Sequence, residues 1–172
     1  MCIRNLLFAF TIASSTSAYA TSNDHVTYGY NLLQQQFVDF TDKHAKCSET
    51  AKKERLSNSS IEQLAKLPAA AGEGLGFLSI VAINECSQPE LSELMRVLLT
   101  LEDLNRSANV SYVSDYILTI KKVAFIKFDL YSQKKFDALP IDVRNSLLSM
   151  DDIKKPFNVM DTYDRAWGEA QK

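Results

Sequence analysis

The chain predicts an all-α fold: a single compact helical domain of six or seven helices with one disulfide, following a cleaved signal peptide. Three observations carry this. Five glycines and four prolines in 172 residues leave long stretches without a breaker, unlike the frequent turn signals of a β-sandwich. Apolar residues recur at spacings of three and four, the helical period. Beyond the first twenty residues only two cysteines remain, Cys47 and Cys86, an even count that predicts a bridge in an exported chain.

The N-terminus reads as an export signal over Met1–Ala20. Arg4 is the positive n-region, Leu6–Ile12 a short uncharged apolar core, and Ala18-Tyr19-Ala20 a small-residue cleavage site before Thr21. The apolar run is far shorter than the ~20 residues needed to span a bilayer. Cys2 precedes that core, whereas a lipobox cysteine follows it. The organisation is therefore 1–20 signal peptide and 21–172 helical domain, with a periplasmic (bacterial) or otherwise secreted location expected. Triplets of the N-x-S kind at Asn58, Asn105 and Asn109 would accept glycans only on a eukaryotic secretory route.

The elements follow in order. Asn23 and Asp24 can cap a first helix whose Tyr30, Leu33, Phe37 and Phe40 share a face, ending near Lys46 with Cys47 at its end. Ser48–Leu56 reads as a polar turn or two. Ser59 and Ser60 stand three residues before Glu62 and Gln63, a capping-box pattern, and Pro68 stops the short helix that follows. Ala69–Glu85 is the most apolar stretch and contains Gly72, Gly74 and Gly76, read as a buried core helix in which Gly72 and Gly76 admit a close neighbour. Ser87 and Pro89 start a helix striped by Leu91, Leu94, Met95, Leu98 and Leu101. Arg106–Asn109 reads as a loop. Val110–Phe136 fits one long helix through Val113, Tyr116, Ile117, Ile120 and Ala124, although Ala124, Ile126, Phe128 and Leu130 alternate as a strand would. Pro140 starts a short helix with Val143, Leu147 and Met150, and Pro156 opens the last one.

Charge and motif content narrow the functions. Nineteen basic residues, Arg4 among them, face 21 acidic ones, so the mature chain is acidic. That balance argues against nucleic acid and anionic surfaces, which require basic patches, and membrane insertion is not expected. No cofactor motif is present: Gly72-Glu73-Gly74-Leu75-Gly76 lacks the Gly-Lys-Ser/Thr ending of a phosphate loop. His44-x-x-Cys47 with Glu85-Cys86 would bind zinc only with both sulfurs reduced, and export favours the disulfide instead. With His25 and His44 the only histidines and no Gly-x-Ser-x-Gly elbow, no nucleophilic triad is expected. Glu102-Asp103 and Asp151-Asp152 are adjacent pairs pointing apart, and Asp161 and Asp164 share a face as helix-surface acids commonly do.

A non-enzymatic reading results: an exported small protein-binding domain that inhibits or neutralises a protein partner, a periplasmic immunity protein being one form. The alternatives are an envelope-assembly accessory component or periplasmic chaperone, and then a carboxylate-dependent hydrolase of envelope polymers. Phe157, Asp161, Tyr163, Asp164 and Trp167 are the candidate partner-binding residues, because interfaces enrich aromatic anchors. Core packing of the same aromatics is the competing reading.

Overall fold

A computed structural model describes the backbone of residues 16–124 and 128–168, and side-chain surroundings over 23–124 and 130–168. Residues 1–15 of the expected export signal lie outside the described residues. Among those described there are eight α-helices and no strand: α1 Thr16–Lys53, α2 Asn58–Leu64, α3 Ala71–Cys86, α4 Glu90–Ala108, α5 Ser111–Ala124, α6 Phe128–Asp137, α7 Ile141–Leu148 and α8 Val159–Trp167, with a 3₁₀ turn at Asp151–Lys154. The all-helical class expected from the sequence is correct, and the helix count is slightly higher than six or seven.

The long helix α1 is the spine. Val26, Leu33, Phe40 and Cys47 are buried at seven-residue intervals, and Tyr30, Phe37 and His44, each partly buried, interleave with them. This 4-3 alternation keeps one seam of the helix against its neighbours for more than five turns. The helix does not stop at Lys46. It continues six residues beyond Cys47, because Ala51 is also buried and extends the seam through an otherwise polar stretch.

Two hydrophobic cores flank this spine. The first joins Val26, Leu33 and Phe40 of α1 to Leu94, Leu98 and Leu101 of α4 and Val113, Ile117 and Ile120 of α5. Gly29 permits a close approach of α1 to α4: a Cβ there would lie 2.9 Å from Leu101 Cδ1. The second core gathers Leu64, Leu75, Leu78, Phe136, Leu147, Ile153, Phe157 and Trp167 from α2, α3, α6, α7, the 3₁₀ turn and the α8 segment. Its hub is α3, buried through Ala71, Gly74, Leu75, Leu78 and Ala82, so the apolar Ala69–Glu85 stretch is a core helix as expected. Gly72 and Gly74 are the close-packing positions, against Tyr163 and Leu139, whereas nothing lies within 4 Å of a Cβ at Gly76.

Other boundaries differ from the sequence reading as well: α1 begins at Thr16, so Asn23 and Asp24 lie inside it rather than cap it, and α8 is capped by Asn158 rather than opened at Pro156. The cap of α2 is Ser57, whose Oγ accepts the Ser60 N–H at 3.3 Å, not Ser59 or Ser60. Arg106–Asn109 is no loop: α4 runs to Ala108 and ends at Asn109 in the left-handed conformation, φ 53°, a state Asn tolerates better than most residues. The buried carboxamide of Asn105 organises that turn, accepting the Val110 N–H and donating to Ser114 Oγ at 2.8 Å. Within Val110–Phe136 the described residues form α5 and α6, α5 serving the first core and α6 the second, while residues 125–127 between them, where one long helix would have to be continuous, lie outside the described residues.

The last helix closes the molecule through Asn158. Its side-chain oxygen accepts the Asp161 N–H at 3.0 Å and so caps α8. Its amide donates to the Lys52 carbonyl at 2.8 Å and its backbone N–H to the Glu54 carbonyl at 2.8 Å. Those carbonyls are among the ones a helix end leaves without internal partners, so one residue starts α8 and finishes α1.

Candidate functional site

The sulfurs of Cys47 and Cys86 form a disulfide, joining α1 to the last turn of α3. Both cysteines are therefore held as cystine. His44, one turn before Cys47, stacks at 5.3 Å from Phe40, with Nδ1 3.5 Å from Ser87 Oγ. Ser87 is fully buried and its hydroxyl donates back to the Ile83 carbonyl at 2.7 Å, which makes it a helix-terminating group rather than a nucleophile aimed at substrate. Among the described residues, no cluster of three His, Cys, Asp or Glu side chains is placed to hold a metal ion.

The α8 segment places the five sequence candidates unevenly. Phe157 and Trp167 point into the second core, only 2% and 4% exposed, and the indole N–H donates to the Leu67 carbonyl at 3.0 Å. Tyr163 is half-buried against the same core, 5.5 Å from the Trp167 ring. Asp161 is held between Arg55 at 3.3 Å and Arg165 at 3.5 Å. Arg165 also donates to the Leu56 carbonyl and to Asn58 Oδ1, at 2.9 and 2.8 Å. Only Asp164 is fully on the surface. Two of the five residues thus dock the last helix, and Asp161 braces it to the end of α1.

A different aromatic group lies on the first core. Tyr30 and Phe37 of α1 meet Tyr112 and Tyr116 of α5: Tyr30 packs edge-on against Tyr112 at 5.1 Å and Tyr116 at 5.2 Å, and Phe37 against Tyr116 at 6.5 Å. Each contact has the edge-to-face geometry that aromatic quadrupoles prefer. Tyr30 also receives a hydrogen bond on its hydroxyl from the Gln34 amide at 3.2 Å. Tyr112 remains 50% exposed, while Tyr30, Phe37 and Tyr116 are partly buried. Burial, and then the neighbouring Tyr30, push the Tyr116 phenol above its ordinary pKa, so it stays a neutral hydrogen-bonding group throughout the physiological range. The result is a rigid, partly exposed ledge of four rings, with the carboxylate of Asp115 exposed beside it.

Sequence reasoning missed this ledge. Tyr30 and Phe37 were visible as members of a helical face, and Tyr116 as part of another, but nothing in either stretch says that the two faces meet. Comparison with known proteins finds no matching family model, no matching curated protein and no matching solved structure.

Proposed function

We propose that this protein is an exported protein-binding domain that inhibits or neutralises a protein partner, acting from the periplasm or another compartment outside the cytoplasm, and that the ledge of Tyr30, Phe37, Tyr112 and Tyr116 is where the partner docks. A periplasmic immunity protein is the specific form. The ledge is the observation that carries the reading. Tyrosine supplies large contact area with few rotatable bonds and a hydroxyl at its tip, and interface hot spots are enriched in it. Because these rings already brace one another, little side-chain freedom remains to be lost on association, which lowers the cost of binding. The Cys47–Cys86 disulfide supports the oxidising compartment, and no helix among the described residues is long and apolar enough to cross a membrane.

The test is affinity capture from the envelope fraction of the source cells, using the full chain with a C-terminal tag and its Tyr112→Ala variant. One stoichiometric partner, retained through salt washes by the parent and lost with Tyr112→Ala, is the expected result. Equal capture by both chains would remove the ledge from the interface. Many substoichiometric clients would point to a chaperone, and an empty capture would overturn the binding reading.

A further inference from the structure

Tyr112 and Asp115 stand three residues apart on α5, so they share a face, and both are exposed. Tyr112 is the most open ring of the ledge, meeting Tyr30 at an interplanar angle of 89° and remaining half exposed. Among the described residues the Asp115 carboxylate has neither an ion pair nor a hydrogen bond; only its backbone carbonyl is engaged, accepting from Thr119 Oγ1 at 2.9 Å. Attraction to the positive end of α5 does not account for this acid. That effect is confined to the first turn, and the first turn of α5 carries no acidic residue.

The protein's own cations near the ledge are placed elsewhere. From Asn23 to Asp42 on α1, and from Ser111 to Ile120 on α5, there is no lysine or arginine. On α4, Arg96 is bound to Glu93 at 2.5 Å and Arg106 to Asp103 at 3.3 Å. Lys121 is bound to Glu102 at 2.5 Å. Lys122 shares the face of Asp115 but follows it by seven residues, about 10 Å along the helix, beyond the ~8 Å screening length at physiological salt. His25 lines the groove between α1 and α4. Asp39 and Asp42 line a second groove on that side together with Lys43 and Lys46, so Asp115 is the charge that the ledge itself presents.

An open aromatic ring beside an unpaired carboxylate matches one side chain in particular. A guanidinium is planar, stacks on aromatic faces, donates to carboxylates through a fixed fork of N–H groups and is more weakly hydrated than an ammonium. Resting on the ledge reading above, we propose that Tyr112 and Asp115 form a socket for an arginine side chain of the protein partner. The guanidinium lies over the open face of Tyr112 and donates to the Asp115 carboxylate, while Tyr30, itself packed on Tyr116, braces the Tyr112 ring. The partner therefore presents arginine at the centre of its contact surface, a residue that interface hot spots enrich.

The test titrates the protein, as it accumulates in an exporting host, with hexa-arginine, hexa-lysine and the uncharged isostere hexa-citrulline, followed by calorimetry and by NMR of the backbone amides. Hexa-arginine should bind with its largest shifts at Tyr112–Tyr116 and Tyr30–Phe37, hexa-lysine should bind more weakly, and hexa-citrulline should not bind. Asp115→Asn and Tyr112→Ala should each weaken the arginine peptide by about fivefold. Asp164→Asn, which removes an exposed acid of α8, should leave it unchanged. Unchanged thermal unfolding by circular dichroism verifies that each variant folds. Absent binding of hexa-arginine, equal binding of hexa-citrulline, or an equal loss with Asp164→Asn overturns the proposal. The captured partner separates this inference from the ledge reading. A partner lost with Tyr112→Ala but kept by Asp115→Lys leaves the ledge as the interface and refutes the arginine socket, whereas a partner kept by both variants removes the ledge and the socket together.

Discussion

Cys47 and Cys86, with Cα atoms 5.9 Å apart, join the C-terminal part of α1 to the end of α3 and thereby connect the helix that carries the first core to the hub of the second. The bond closes a loop containing α2 and nearly all of α3, across a sequence separation of 39. Restricting the unfolded chain to that extent contributes about 4 kcal/mol in the chain-entropy description. The Cys47→Ser/Cys86→Ser variant should therefore unfold at distinctly lower urea than the parent, and adding a dithiol reductant should shift the parent midpoint toward the variant. Trp167 is the only tryptophan and is buried, so its fluorescence reports the transition. Coincident midpoints for the oxidised parent and the variant would show that the bridge contributes nothing to stability.

The three glycines of α3 should respond differently to the same change. A Cβ at Gly72 would fall 2.5 Å from Tyr163 Cε2, and one at Gly74 would fall 2.8 Å from Leu139 Cδ1 with Leu147 and Phe136 just beyond. Overpacking of this kind costs about 1–3 kcal/mol, so Gly72→Ala and Gly74→Ala should both lower the urea midpoint, the former by displacing Tyr163. Gly76 has open space. There Ala restricts the unfolded chain and favours the helix, raising stability by about 0.5–1 kcal/mol. Urea titrations of the three variants verify the opposite signs.

What could be read from the chain depended on whether the signal was local. The seam of α1 was readable because Leu33 and Phe40 repeat at the helical period and bury the same face, and α3 because it is apolar throughout. The continuation of α1 past Cys47 was hidden: Ser48–Lys53 is polar, its one buried side chain is the small Ala51, and its other tie is the Lys52 carbonyl bonded to the distant Asn158. The disulfide followed from parity, since Cys47 had one remaining partner. The tyrosine ledge and the Asp161–Arg55 contact are meetings between segments distant in sequence, and no spacing within either segment encodes them. Trp167 shows the limit most clearly. Its size fits an interface anchor and a core residue equally, and only the position of Leu67, whose carbonyl receives the indole N–H, decides that it faces inward.

Asp152 should give the fold a measurable acid sensitivity. Its carboxylate accepts the Ser57 hydroxyl at 2.6 Å, the Ser60 hydroxyl at 2.7 Å and the Ser57 N–H at 3.2 Å. These bonds, with the Ser57 hydroxyl foremost, hold its pKa below the ordinary carboxylate value. A depressed folded-state pKa means that the ionised form favours the fold. The contribution is complete above the unfolded value near 4 and is lost as pH falls through the lower folded value. Because the group is largely solvated, about 1 kcal/mol is the scale to expect. Asp152→Asn should lower the urea midpoint at pH 7 and narrow its difference from the parent at pH 3. A gap that stays constant across this range would mean that ionisation of Asp152 is not coupled to folding.

Asn158 offers a sharper dissection, because its two side-chain atoms serve different helices. The oxygen caps α8 by accepting the Asp161 N–H, and the amide nitrogen finishes α1 by donating to the Lys52 carbonyl. Asn158→Asp keeps an acceptor for the cap but has no donor when ionised, and it places a negative charge beside a carbonyl oxygen. Asn158→Ala removes both functions. A lost cap costs about 1 kcal/mol, and the missing bond to Lys52 about 1 kcal/mol more. The alanine variant should therefore lose about 2 kcal/mol by urea titration. The aspartate variant should lose about half of that at pH 7, since a carboxylate also suits the positive end of α8. Hydrogen exchange separates the contributions: amides in the last turn of α1 should lose protection in both variants, and amides in the first turn of α8 only with alanine. If both ends of the pair open together in the aspartate variant, the two helix termini behave as one cooperative unit and the division of labour within Asn158 fails.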